Sequence, residues 1–148
     1  MPKLARVFNW KTCSDEARLH TGRLMACILV ADDDATQLDL RKQLLEIAGY
    51  GVAIAFTAEQ AVSRIRHSLP DLAIIDLRLL NAQGESDARE GLALIRGIRE
   101  IAASLPLIVL SGWPEDLYGQ PEEQLVSRVL LKPVRTRDLL HAICDLLV

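Results

Sequence analysis

The chain has 148 residues, half of them hydrophobic and a quarter charged, which suits one domain with one core and excludes a disordered tail. No apolar run approaches the roughly 18 residues of a membrane span and no signal-peptide pattern appears, so no membrane insertion is expected and the setting reads as cytoplasmic. A net charge of −3 and only six aromatic residues argue against a nucleic-acid partner.

Residues 1–24 carry five basic and two acidic side chains, a net +3, against −6 for the remainder. With little apolar periodicity, this segment reads as a basic extension outside the core, and Met25 is an alternative start of the chain. The run 26–31 (ACILVA) reads as a strand buried on both faces, ending in Asp32-Asp33-Asp34. Leu40, Leu44, Ile47 and Ala48 then recur at helical spacing, with Gly49 where a helix stops. Residues 51–56 (GVAIAF) form a second strand. Thr57 and Gln60 have capping-box spacing, followed by Ala58, Ala61, Val62, Ile65 and Leu69 on one helical face up to Pro70. A third strand, 72–76 (LAIID), ends in an acid.

After a polar loop at 81–90, Leu94, Ile95, Ile98 and Ile101 mark a third helix, and 106–110 (PLIVL) a fourth strand. Pro114 could open a fourth helix, short or broken because Gly119 and Pro121 follow. Residues 128–131 (RVLL) give the fifth strand, and Leu139, Leu140, Ile143, Leu146 and Leu147 a closing helix. Five buried strands alternating with helices predict an α/β fold, a doubly wound five-stranded parallel sheet with helices on both faces. Cys13, Cys27 and Cys144 are odd in number and widely spaced, which reads as reduced thiols and neither a disulfide framework nor a zinc site.

Sheets of this kind bind ligands at the carboxyl ends of their strands. Those ends carry Asp32, Asp33, Asp76, Ser111 and Lys132. Three converging carboxylates cannot all ionise comfortably without a cation, and oxygen-only ligands open to water and phosphate suit Mg2+. A carboxylate nucleophile, a divalent cation, a hydroxyl and an ammonium are the parts of a phosphoryl-transfer site. Asp34 reads as a helix cap, and His20, His67 and His141 have no partner at metal or triad spacing.

Asp32-Asp33 after ILVA, Asp76 in LAIIDLRL, Ser111 in LIVLSG and Lys132-Pro133 in VLLKP together resemble the receiver domain of bacterial two-component response regulators, over roughly residues 25–148. The resemblance implies that Asp76 accepts a phosphoryl group from a sensor histidine kinase or histidine phosphotransfer protein. It implies Asp33, Asp76 and the backbone carbonyl of Arg78 as Mg2+ ligands, with Asp32 acting through a metal-bound water. Lys132 would pair with Asp76 and then with the phosphoryl group, Ser111 would swing toward it, and Lys132-Pro133 would be cis. The chemistry implied is self-catalysed acceptance and slow loss of the phosphoryl group, and not turnover of a separate substrate.

Several positions depart from that pattern. Leu80 stands where the family usually has proline, and the loop Asn81–Glu90 is longer and more polar than usual: a partner-binding or shielding element, or an idle insertion. Val129 replaces the switch aromatic. Arg78 and Trp113, two positions after Asp76 and Ser111, are bulky enough to screen an acyl phosphate and lengthen its lifetime; the plainer reading has Arg78 pointing to solvent and Trp113 packing on the surface. With no output segment after Val148, the reading is of a single-domain receiver whose output is a protein contact on the fourth helix, fifth strand and fifth helix. The runner-up is a phosphate-independent interaction module with this fold. A haloacid-dehalogenase-like phosphatase would want a second aspartate where Arg78 stands, and a flavodoxin-like carrier would want a phosphate-cradling loop where the first loop is acidic.

Overall fold

The computed structural model describes residues 25–148; the expectation for 1–24 lies outside the described residues. In chain order the elements are β1 (Cys27–Ala31), α1 (Ala35–Ile47), β2 (Gly51–Ala55), α2 (Ala58–His67), β3 (Leu72–Asp76), β4 (Leu79–Leu80), β5 (Ser86–Asp87), α3 (Ala88–Ile101), β6 (Leu107–Ser111), β7 (Arg128–Leu131) and α4 (Thr136–Leu147). The main sheet is five-stranded in the order β2-β1-β3-β6-β7, and every pair in it is parallel. The doubly wound sheet expected from the strand–helix alternation is therefore present.

The continuous apolar strands follow from burial on both faces. Ile28, Val30, Leu72, Ile74, Ile108 and Leu110 pack with Leu38 and Leu45 of α1 and Leu139, Leu140 and Ile143 of α4. The alternate residues Leu29, Ala31, Ala73, Ile75, Leu107 and Val109 pack with Ala61 and Ile65 of α2 and Leu94, Ile95 and Ile98 of α3. Two cores back one sheet, and their helices hold its strand ends in place.

Helix starts are set by side chains that accept otherwise unpaired amides. Asp34 caps α1 through the Thr36 and Gln37 amides, Thr57 caps α2 through Gln60, and Asp87 caps α3 through Arg89. Asp34 is thus the cap expected of it. Gly49, at φ +97°, ends α1 in the left-handed conformation that glycine adopts without steric cost.

Four expectations are corrected. The buried face of α1 runs through Leu38, Leu45 and Ala48, while Leu40 and Ile47 are 51% and 73% exposed. Arg41 interrupts that face because its guanidinium turns to Asp32 at 3.1 Å, so the apolar period picked out the neighbouring stripe. The loop at 81–90 contains an antiparallel hairpin, with Leu79 opposite Asp87 and Leu80 opposite Ser86, and α3 begins inside it.

The fourth helix is not α-helical: two 3-10 turns, Pro114–Asp116 and Pro121–Leu125, stand in its place. Each starts on a proline, which donates no backbone hydrogen bond, and Gly119 at φ +82° separates them. Arg99 of α3 supplies what a helical ladder would, donating from Nε and Nη2 to the Leu125 carbonyl at 2.9 and 2.7 Å. Arg96 of α3 pairs with the buried Glu122. The surface expected on a fourth helix, fifth strand and fifth helix is accordingly built from these turns, β7 and α4. Cys27 is free, whereas Cys144 is disulfide-bonded, against the expectation of reduced thiols throughout.

Candidate functional site

The parallel register carries each predicted residue to one edge of the sheet. Asp32 and Asp33 follow β1, Asp76 closes β3, Ser111 closes β6 and Lys132 follows β7. Asp76 pairs in register with Leu110, and Ser111 with Leu131, so the ends of β3, β6 and β7 are level. Oxygens of Asp32, Asp33 and Asp76 lie within 4.8 Å of one another, close enough to hold one metal ion. All the donors are hard carboxylate oxygens, which fits an alkaline-earth cation and not zinc.

The three acids have different surroundings. Asp32 is fully buried, its Oδ1 accepts from the Asp34 amide at 3.0 Å, and Arg41 and Lys132 reach its Oδ2 at 3.1 and 3.7 Å. Burial pushes its carboxyl up, but the Asp34 amide and the two cations outweigh that, so it stands below the ordinary aspartate range. Asp76 is 7% exposed; Lys132 Nζ sits 2.5 Å from its Oδ2, and the Arg78 amide donates to its Oδ1 at 3.1 Å. Burial nonetheless raises it, since Lys132 offsets the desolvation only in part and Asp32 adds repulsion. Asp33 is raised by burial, with the Asp32 charge in the same direction and the Ser86 hydroxyl opposing.

Around these acids the backbone is tightly tied. The Lys132 amide donates to the Ser111 carbonyl at 2.8 Å, and the Lys132-Pro133 peptide is cis, as expected. Ser111 is buried, and its hydroxyl oxygen accepts from the Trp113 amide at 3.1 Å. Arg78 does not point free into solvent. Its Nε donates to Asp116 at 3.0 Å, and its guanidinium lies 3.6 Å from the centroid of the Trp113 ring. A cation over an indole face is a favourable stack, and here it joins the end of β3 to the first 3-10 turn. Val129, at the switch position, is a partly buried β7 residue packed against the α2–α3 side of the core.

Sequence reasoning missed three residues of this site. Arg41 reads as one more charge on an amphipathic helix, Asp116 as a turn acid, and Ser86 as part of a polar loop. Only the fold brings Ser86 to Asp33, whose Oδ2 accepts its hydroxyl. Arg41 alone carried a signal, as a basic residue breaking the α1 face two turns after an acidic strand end.

The family model of the response regulator receiver domain matches residues 28–144. Among characterised relatives, the virulence transcriptional regulatory protein PhoP of Salmonella typhimurium is 35% identical over 94 residues, 62% of this chain and 39% of that protein. The transcriptional regulatory protein ZraR of the same species is 27% identical over 86 residues, 58% of this chain and 18% of its own length. The chain thus spans well under half the length of these relatives. A receiver domain protein from Clostridium thermocellum superposes with a TM-score of 0.72 at 27% identity, over 83% of this chain and 94% of that one. A CheY-like receiver domain protein from Methanospirillum hungatei gives 0.70 at 29% identity, over 82% and 93%. With the match running from the first core strand into the last helix, and the acids, serine and lysine at the strand ends, the chain belongs to the response regulator receiver domain family of two-component systems.

Proposed function

We propose that the domain accepts a phosphoryl group on Asp76 in a Mg2+-dependent reaction and signals by changing its contacts with another protein. The observation that carries this reading is the buried Asp76 carboxylate with Lys132 Nζ 2.5 Å from one oxygen and two more acids within cation-sharing distance. Asp33, Asp76 and the backbone carbonyl of Arg78 would hold Mg2+, with Asp32 acting through a bound water. When bound, the cation supplies positive charge against the phosphoryl oxygens and the acid cluster.

The chain's own residues do the rest. An Asp76 oxygen attacks phosphorus in line, the new P–O bond forming as the P–N bond of a phosphohistidine breaks. The imidazole leaves with the electron pair and takes up a proton from water. Lys132 is released from its pair with Asp76 and neutralises an equatorial phosphoryl oxygen, while the Ser111 hydroxyl donates to another. The phosphohistidine belongs to a sensor histidine kinase or a histidine phosphotransfer protein. The output face comprises the two 3-10 turns, β7 and α4, where Tyr118 and Leu131 stand exposed.

Intact-mass spectrometry after incubation with acetyl phosphate tests the proposal. One phosphoryl adduct is expected in the parent, and none in D76N or when Mg2+ is chelated. A folded parent that gains no adduct and binds no beryllofluoride in the presence of Mg2+ leaves the second reading, a phosphate-independent interaction module, which Val129 in the switch position favours.

A further inference from the structure

The hairpin between β3 and α3 is a built element. The Asn81 amide donates to the Glu85 carbonyl at 2.9 Å, and Asn81 Oδ1 accepts from the Gln83 and Glu85 amides at 2.9 and 3.0 Å. Gly84 turns the chain at φ +77°, a conformation that a Cβ disfavours. The fully buried Leu79 anchors one strand, and Asp87, the cap of α3, follows directly on Ser86 in the other. Ser86 is therefore fixed on both sides, by pairing with Leu80 and by the capped helix start. A loop serine ordinarily spends its hydroxyl on water; this one donates across 53 positions of sequence to Oδ2 of Asp33.

We propose that Ser86 is a positioning residue of the cation site, holding Asp33 through one carboxylate oxygen so that the other is presented to Mg2+. The inference rests on the Mg2+ site proposed above and assigns a task to the long loop. Asp33 stands beside Asp32 and Asp76, and mutual repulsion favours its turning away into water. A hydroxyl donor bound to one oxygen opposes that rotation before the ion arrives, so less orientational freedom is lost on binding. Partners that orient a metal-bound carboxylate in this way typically contribute a factor of about 10–100 in metal affinity.

Calorimetric titration of Mg2+ into the full chain, with S86A and S86T alongside, reads the effect directly. S86A should bind about 10–100-fold more weakly, and S86T, which restores a hydroxyl, should return to within about threefold of the parent. Melting temperatures in EDTA should agree among the three. A parent that binds Mg2+ while S86A binds it equally well overturns the assignment alone. So does an S86T chain as weak as S86A, or an affinity loss matched by a lower melting temperature in EDTA. A folded parent that binds no Mg2+ overturns both this assignment and the cation site beneath it.

Discussion

Three aspartates in one cluster do not titrate alike, and the difference comes from their immediate partners. Asp32 has an amide and two cations and lies low; Asp33 has one hydroxyl donor and two like-charged neighbours and lies high. A raised native pKa means that the folded chain holds the Asp33 proton more tightly than the unfolded chain does. Ionising Asp33 therefore costs the fold stability as pH rises past the ordinary aspartate value of about 3.9. D33N has no proton to lose there and still offers Ser86 an acceptor. Without divalent cations, its melting temperature should exceed the parent's by a margin that is smallest near about pH 3.5 and widens to a plateau towards neutrality. Asp32 is present in both chains, so its opposite trend cancels to first order. Thermal melts across that range check the sign; a margin that shrinks with rising pH contradicts it.

At the scale of elements, the site depends on how closely α3 approaches the end of β3. Gly91 lies in the first turn of α3, and its amide donates to the Leu77 carbonyl, one residue past Asp76, at 3.0 Å. A Cβ at Gly91 would stand 2.2 Å from that carbonyl oxygen, against backbone that no rotamer change can move. Alanine would gain about 1 kcal/mol of helix propensity, whereas overpacking costs about 1–3 kcal/mol or more. A 2.2 Å approach to backbone puts the cost at the upper end of that range, so the clash wins and G91A should lose about 1–2 kcal/mol in urea unfolding. Its initial phosphorylation rate should fall as well, because α3 must back away from the strand that ends in Asp76. A G91A chain as stable as the parent refutes this account of the packing.

Most elements were legible from local patterns: the five strands of the main sheet as apolar runs, α2 from its capping box, and the end of α1 at Gly49, although α2 stops at His67 and leaves Leu69 exposed before Pro70. The phase of α1 was not, because Arg41 occupies its inner face to meet Asp32, and periodicity scores that residue as outward. Nor was the hairpin legible. Two-residue strands carry almost no pattern, and their pairing is stabilised by the Asn81 turn and the burial of Leu79. The broken fourth helix was half legible, since Pro114, Gly119 and Pro121 announce the break but not the arginines of α3 that stabilise the turns.

Across the whole molecule, the site is bordered by contacts between distant segments. Arg78 follows β3, Asp116 and Trp113 lie beyond β6, and the ion pair and ring stack join them across more than 30 positions of sequence, 38 for the ion pair. This pair stands beside the strand end that carries Asp76. We propose that it limits the approach of water to a phosphoryl group on Asp76. R78A and W113A should therefore lose the phosphoryl group several-fold faster than the parent after the donor is removed, followed by intact mass over time. Unchanged or slower loss in both would return Arg78 and Trp113 to a purely structural role.

The sequence by itself determined the parallel α/β sheet and the chemical content of its strand ends. Burial on both faces demands continuous apolar runs, and parallel strands bring their carboxyl ends to one edge. Asp32, Asp33, Asp76, Ser111 and Lys132 could thus be placed together without coordinates. What surrounds them was decided only by the tertiary structure. Arg41 on Asp32, Ser86 on Asp33, and Arg78 between Asp116 and Trp113 are each polar residues whose local context reads as solvent-facing. Local patterning records which side chains must leave water, but it carries no record of which distant charge or hydroxyl a polar side chain will meet once the core has formed.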